Sequence, residues 1–261
     1  MSYKQYLKSK KLKDNTIKIY LWHIDRFLSC LDKKKLNITN FNKYYKYLLN
    51  NYKKIATINI HLSIINNYLK YIKNQYHFNL LTVEDRKIKV LNDKQLKEFL
   101  AKPLERKELI YLRDKVLLEL LYYTGLKVAQ ISKLKKNHLD YIKNKLIINK
   151  KSIPLTPTTW YYLKKYLKKR KDNNLYLFIS FDKAYTSQKR INKITHLSVR
   201  SIERILEKYA KTFRPVLKIT PQILRDTLAY NLKRSGGNSK IIQKTLNFKT
   251  KIGAEKYFKI L

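Results

Sequence analysis

Apolar residues in the first part of the chain recur every three to four positions, the mark of helices that bury one face. Ile17, Tyr20, Leu21, Ile24, Phe27, Leu28 and Leu31 make one stripe, and Asp14-Asn15-Thr16 ahead of it offers a helix cap. Phe41, Tyr44, Tyr45, Leu48 and Leu49 make a second, with Thr39 or Asn40 as its cap. Ile58, Leu62, Ile65, Leu69 and Ile72 make a third, whose other face carries Lys70 and Lys73. The stripes read as ordinary core, so residues 1–80 predict a small helical domain. Its basic polar faces are what remains for a partner.

Between Asn79 and Leu91 the periodicity breaks, and residues 81–92 read as an extended linker. Helical spacing returns behind Asn92 or Asp93 with Leu96, Phe99 and Leu100. A longer apolar helix through Leu117, Leu118, Leu120, Leu121 and Tyr122 ends at Thr124-Gly125. Gly125 stands where a helix end favours a left-handed residue. Val128, Ile131 and Leu134 suit a short helix, and Leu146 to Leu155 reads as two short strands around a tight basic turn. Thr156-Pro157 and Thr220-Pro221 each start a helix by cap and first-turn proline. Ser198 caps another, and Asn238 or Ser239 a further one. Leu175 to Ile179 is a short strand or buried segment. Residues 93–261 therefore predict a second domain, and the fold class is mainly α with one small antiparallel sheet.

Composition then narrows the partner. Of 261 residues, 59 are Lys or Arg against 18 Asp or Glu, a net charge of +41. Lysine supplies 48 of the 59, and Lys, Asn, Ile and Tyr are abundant together, as an AT-rich genome would favour. Part of the charge is therefore drift onto solvated faces. Even so, a globular chain this basic repels itself unless it meets a polyanion, and binding to phosphates releases counterions. One cysteine, Cys30, excludes a disulfide framework and a cysteine-based zinc site. No apolar run approaches the ~18 residues of a membrane span, and the first residues lack a signal peptide's apolar core. The expectation is a cytoplasmic, nucleoid-associated protein.

Against that background, five blocks in order resemble the tyrosine recombinases, the phage integrase and Xer family. Leu121-Tyr122-Tyr123-Thr124-Gly125-Leu126-Lys127-Val128 resembles the family's T-G-L-R-x-x-E box. The hairpin Ile148 to Leu155 resembles its lysine-bearing β-turn. Ile219-Thr220-Pro221-Gln222-Ile223-Leu224-Arg225 resembles T-P-H-x-L-R, and Leu246-Asn247-Phe248 resembles L-G-H. Tyr257 follows Phe248 at the family's spacing. In the first domain, Asp14-Asn15-Thr16-Ile17 and Ala56-Thr57-Ile58-Asn59 match two helix openings. The resemblance spans nearly the whole chain. It implies a four-helix core-binding (SAM-like) domain and a mostly helical catalytic domain, closing as a C-shaped clamp on duplex DNA.

What the resemblance implies chemically is DNA cleavage and rejoining through a 3′-phosphotyrosyl link, for integration, excision or resolution of an element. Tyr257 takes the nucleophile's place, Arg225 that of a phosphate clamp, and Lys150 or Lys151 that of a general acid. A covalent link conserves the bond energy, so no cofactor is implied. A planar guanidinium suits two phosphate oxygens. Five positions depart from the family. Lys127 replaces an arginine and keeps the charge without the fork. Gln130 replaces a glutamate. Gln222 replaces a histidine and can donate a hydrogen bond but not take a proton. Asp226 stands where histidine is frequent, and Phe248 replaces histidine or tryptophan. The implied partners are double-stranded DNA and further copies of the chain, a dimer or tetramer on DNA, with no membrane and no small-molecule substrate. Two rivals stand beside this reading: a catalytically silent relative that binds DNA architecturally or as a regulator, and a basic RNA-binding protein, which explains the charge but not the five ordered blocks.

Overall fold

The stripes of the first domain do meet. Phe27, Phe41, Tyr44, Leu48, Leu62, Ile65 and Leu69 are wholly or almost wholly buried in one core, closed by Phe78. The helices that carry them are α1 (Tyr3–Ser9), α2 (Asp14–Ser29), α3 (Ile38–Asn51) and α4 (Ile55–Tyr71). The computed structural model describes residues 2–32, 35–83, 88–103, 107–149, 151–181 and 195–261. It divides into two compact units, Met1–Asp85 and Arg86–Leu261.

Several local expectations for the first unit need correcting. Helix α2 begins at Asp14, so Asp14 favours the helix dipole from within the first turn and no side chain caps the end. Asn37, not Thr39 or Asn40, caps α3 by accepting from the Asn40 backbone at 2.9 Å. Asn40 is instead buried, its amide donating to the carbonyls of Asp32 at 3.1 Å and Lys35 at 2.8 Å. A buried amide with its donors satisfied pins the segment before α3. Leu49, assigned to the inward face, is exposed. Under α2 and α4 lies a buried pair, His23 and His61, with Nδ1 atoms 3.0 Å apart and the Tyr44 hydroxyl 3.2 Å from His61 Nδ1. Burial, with the neighbouring His23 and Arg26, lowers His61 to about 4, and burial lowers His23 in the same direction.

The second unit is built on α6 (Glu108–Tyr123), following α5 (Asp93–Ala101). Helix α6 is buried on nearly every side, with Val116, Leu117, Leu118, Leu120 and Leu121 fully buried and Arg113, Asp114 and Glu119 buried among them. A helix of that kind belongs at the centre of a fold. Its end at Thr124 is followed by Gly125 at φ +58°, then the short α7 (Val128–Ser132). Strands β2 (Lys145–Ile148) and β3 (Lys151–Pro154) form the expected antiparallel hairpin, with Ile148 opposite Lys151. An extra short strand, β1 (Leu139–Asp140), pairs with β2 and completes a three-stranded sheet. The fold is thus mainly α with a small antiparallel sheet.

Around α6 pack α8 (Pro157–Lys169) and α10 (Pro221–Arg234); α9 (Val199–Ala210), α11 (Ser239–Leu246) and α12 (Lys251–Ile260) complete the unit. Asn92, Thr156, Ser198, Thr220 and Asn238 cap their helices through side-chain oxygens, each as expected. In the 175–179 segment Leu177, Phe178 and Ile179 are buried but Leu175 is exposed, and the segment contributes isolated bridges rather than a regular strand. Among the described residues, no helix is long and apolar enough to cross a membrane, and no cluster of histidine, cysteine and carboxylates can hold a metal ion.

Candidate active site

Helix α10 sets the site because its cap fixes its start. Thr220 Oγ1 accepts from the Ile223 backbone at 3.2 Å, and Pro221 fills the first turn. From there Gln222 and Asp226 lie one turn apart, with Arg225 beside Asp226. Gln222 Nε2 donates to Asp226 Oδ1 at 2.7 Å. The hydroxyl of Tyr257, on α12, donates to the same Oδ1. Asp226 is fully buried, whereas Gln222 stays exposed and Tyr257 is half-buried. Tyr257 and Gln222, candidate site residues from the sequence, are therefore joined through Asp226, which the sequence marked only as a departure from the family pattern. Its local signal was the Gln222/Asp226 spacing, which puts both on one helix face.

Arg225 points into the protein and is 6 % exposed. Its Nη2 donates to the Leu246 carbonyl at 3.2 Å, and its Nε and Nη1 are buried without a hydrogen-bond partner among the described residues. Burial lowers Arg225 from the ordinary guanidinium value, opposed by the charges of Tyr257 and Asp226. Buried donors left unpaired are costly and call for a ligand or a functional reason. Two forked N–H groups of a cation suit an anion with several oxygens.

The Leu246-Asn247-Phe248 turn ties this cluster to the hairpin. Leu246 receives Arg225. Asn247, at φ +55°, ends α11 in the left-handed conformation that asparagine tolerates, and its Oδ1 accepts from Lys151 Nζ at 2.5 Å. Phe248 lays its ring 5.2 Å from that of Tyr257, tilted by 47°. The aromatic ring keeps packing where the hydrogen-bonding function of a histidine or tryptophan is absent. The α6–α7 turn reaches the same place. A Cβ on Gly125 would lie 2.7 Å from Leu246 Cδ2 and 3.3 Å from the Thr245 carbonyl, so glycine is required there by both its conformation and its space.

Lys127 follows that turn. Its side chain is exposed and its backbone N–H donates to Gln130 Oε1 at 3.0 Å, so Gln130 holds the start of α7. No side-chain contact brings Lys127 to Tyr257 or Arg225. Lys151 is also exposed. Lys150 lies outside the described residues. A cavity of about 660 Å³ opens between the hairpin and α11, lined among others by Thr124, Gln130, Lys151, Ser152, Lys244 and Asn247.

Comparisons with known proteins agree with this architecture. The model of the Phage integrase family matches residues 89–260. The tyrosine recombinase XerA of Pyrococcus horikoshii is 27 % identical over 254 residues, covering 92 % of this chain and 81 % of that protein. Among solved structures, the Tn1549 transposon integrase in complex with circular intermediate DNA superposes with a TM-score of 0.75 at 18 % identity, covering 98 % of this chain and 93 % of that one. A lambda integrase dimer bound to a COC′ core site gives 0.68 at 15 % identity, with 98 % and 92 % covered.

Proposed function

We propose a function that starts from family membership: the chain belongs to the phage integrase family, and we read it as a site-specific DNA recombinase. It cleaves and rejoins duplex DNA through a phosphotyrosyl intermediate. The observation that carries this reading is the pairing of a half-buried tyrosine with a buried arginine that keeps two donors unpaired. Tyr257 is the nucleophile. Arg225 binds non-bridging oxygens of the scissile phosphate and stabilises the charge that develops on them. Lys151, held on Asn247, protonates the leaving 5′ oxygen. Lys127 adds positive charge at the edge of the site, and Gln222 orients Asp226 rather than moving a proton. The product is a 3′-phosphotyrosyl link and a free 5′-hydroxyl, which attacks back to restore the strand. The net charge of +41 supports a duplex DNA partner, along which copies of the chain assemble. The relatives' DNA complexes favour the same partner.

The test is a nicked duplex carrying the bound site, from which the cleaved fragment diffuses away. A covalent protein–DNA adduct that survives SDS is expected, and Tyr257→Phe abolishes it. A site bound tightly without an adduct would establish the silent, architectural relative instead. Preference for RNA over duplex DNA at fixed salt would establish the RNA-binding reading.

A further inference from the structure

A tyrosine hydroxyl that attacks phosphorus must lose its proton, and the implied histidine acceptor is missing. The amide of Gln222 has no basic nitrogen. The histidines of the second unit are engaged elsewhere: His138 Nδ1 accepts from the Lys135 backbone at 3.2 Å, and His196 Nδ1 lies 2.8 Å from Ser132 Oγ. What touches the Tyr257 hydroxyl is a fully buried carboxylate, Asp226, whose Oδ1 also accepts from Gln222 at 2.7 Å. The Gln222 contact fixes the carboxylate's direction, and the Phe248 ring packs on that of Tyr257.

We propose that Asp226 is the general base of strand cleavage, taking the Tyr257 proton as the hydroxyl oxygen bonds to phosphorus. The assignment rests on the recombinase reading above. In the forward step the Tyr257 Oη–P bond forms and the P–O5′ bond breaks. The tyrosine proton passes to Asp226, and the Lys151 ammonium gives a proton to the departing O5′. Asp226 ends neutral and Lys151 ends as a neutral amine. Rejoining reverses each transfer: the lysine takes the 5′-hydroxyl proton and Asp226 returns its own to Tyr257. A carboxylate is a weak base towards a free phenol, but the phenol oxygen loses its basicity as the P–O bond develops, so transfer in the transition state is the efficient course.

The experiment is single-turnover adduct formation on the nicked duplex, followed against pH. The native rate is expected to be steady across neutral pH and to fall in acid, where a carboxylate base is lost. Asp226→Asn is expected to cut the rate by about 10²- to 10⁴-fold. Its residual rate should climb about tenfold per pH unit, as hydroxide takes over removal of the tyrosine proton. A duplex whose bridging O5′ is replaced by sulfur needs no acid for departure. It should rescue Lys151→Ala and leave Asp226→Asn slow. Unchanged duplex affinity in Asp226→Asn reports an intact fold, and the native pH profile needs no variant at all. Asp226→Asn with the native rate and profile, rescue of that variant by the sulfur duplex, or a native rate that climbs tenfold per unit up to pH 10 overturns the assignment alone. No adduct from the native chain overturns the recombinase reading and the base with it.

Discussion

Arg225 is the residue at which binding and stability oppose each other. Its guanidinium is buried beside Asp226, yet among the described residues one nitrogen alone finds an acceptor, the Leu246 carbonyl. Arg225→Lys keeps the charge and shortens the fork to a single ammonium. The expected outcome is adduct formation slower by about 10²- to 10³-fold, the loss typical of removing one charge-stabilising donor from an active site. Thermal unfolding should move by only a few degrees, because the lysine leaves fewer buried donors unpaired. Single-turnover assay and calorimetry check the two halves separately. Of the residues the structure gathers around the Leu246-Asn247-Phe248 turn, Tyr257, Arg225, Gln222 and Lys151 were legible in the sequence because they sit inside ordered blocks. Asp226 was visible there only as a departure from pattern. Its contact with Tyr257 joins two helices and crosses thirty-one positions of sequence, which spacing along one helix does not reveal.

Among the elements, what could be read from the chain is what local rules govern. The caps at Asn92, Thr156, Ser198, Thr220 and Asn238 follow from a short polar side chain folding onto the backbone three residues ahead. The expectation that Thr39 or Asn40 caps α3 fails for the complementary reason: Asn40 spends its amide on the distant carbonyls of Asp32 and Lys35. Strand β1 is two residues long and exists through its pairing with β2, so its own sequence hardly announces it. The α6–α7 turn gives a sharp mutational test. Gly125→Ala meets a left-handed backbone and the Leu246 side chain together. It should destabilise the second unit by about 1–3 kcal/mol, the usual range for a strained backbone residue. Chemical denaturation checks it, and Gly236→Ala, whose Cβ meets nothing within 4 Å, separates the strain of a positive φ from the clash.

Across the whole molecule, the two units carry separate cores and separate reporters. Trp22 stands against His23 in the first, and Trp160 is buried in the second. His61 and His23 are held neutral below their ordinary value of 6.5. In that range the unfolded chain binds more protons than the folded one, so stability falls as pH drops from about 6.5 towards 4 and is level above it. In a Trp160→Phe chain, Trp22 fluorescence should report a first unit that melts earlier with each step of acid through that window. His23→Gln should flatten the dependence. The net charge of +41 predicts a further whole-molecule property. If six to ten phosphates are neutralised on duplex DNA, affinity should fall by about 10³- to 10⁵-fold between 50 and 200 mM salt. A titration series at fixed pH reads the slope directly.

The Leu246-Asn247-Phe248 turn has a kinetic consequence. Arg225, Lys151 and Tyr257, the clamp, acid and nucleophile of the proposed mechanism, each lean on a different one of three successive residues, so on that reading they are seated together. Molecules in which the turn has shifted lose all three at once and contribute nothing, while those in which it is seated react at the full rate. Damage that unseats the turn but keeps the Asn247 amide, as in Leu246→Ala, should therefore lower the amplitude of the first turnover rather than its rate constant, wherever seated and shifted turns exchange more slowly than cleavage. The site behaves as a population of whole and empty machines, not as a uniformly slower one.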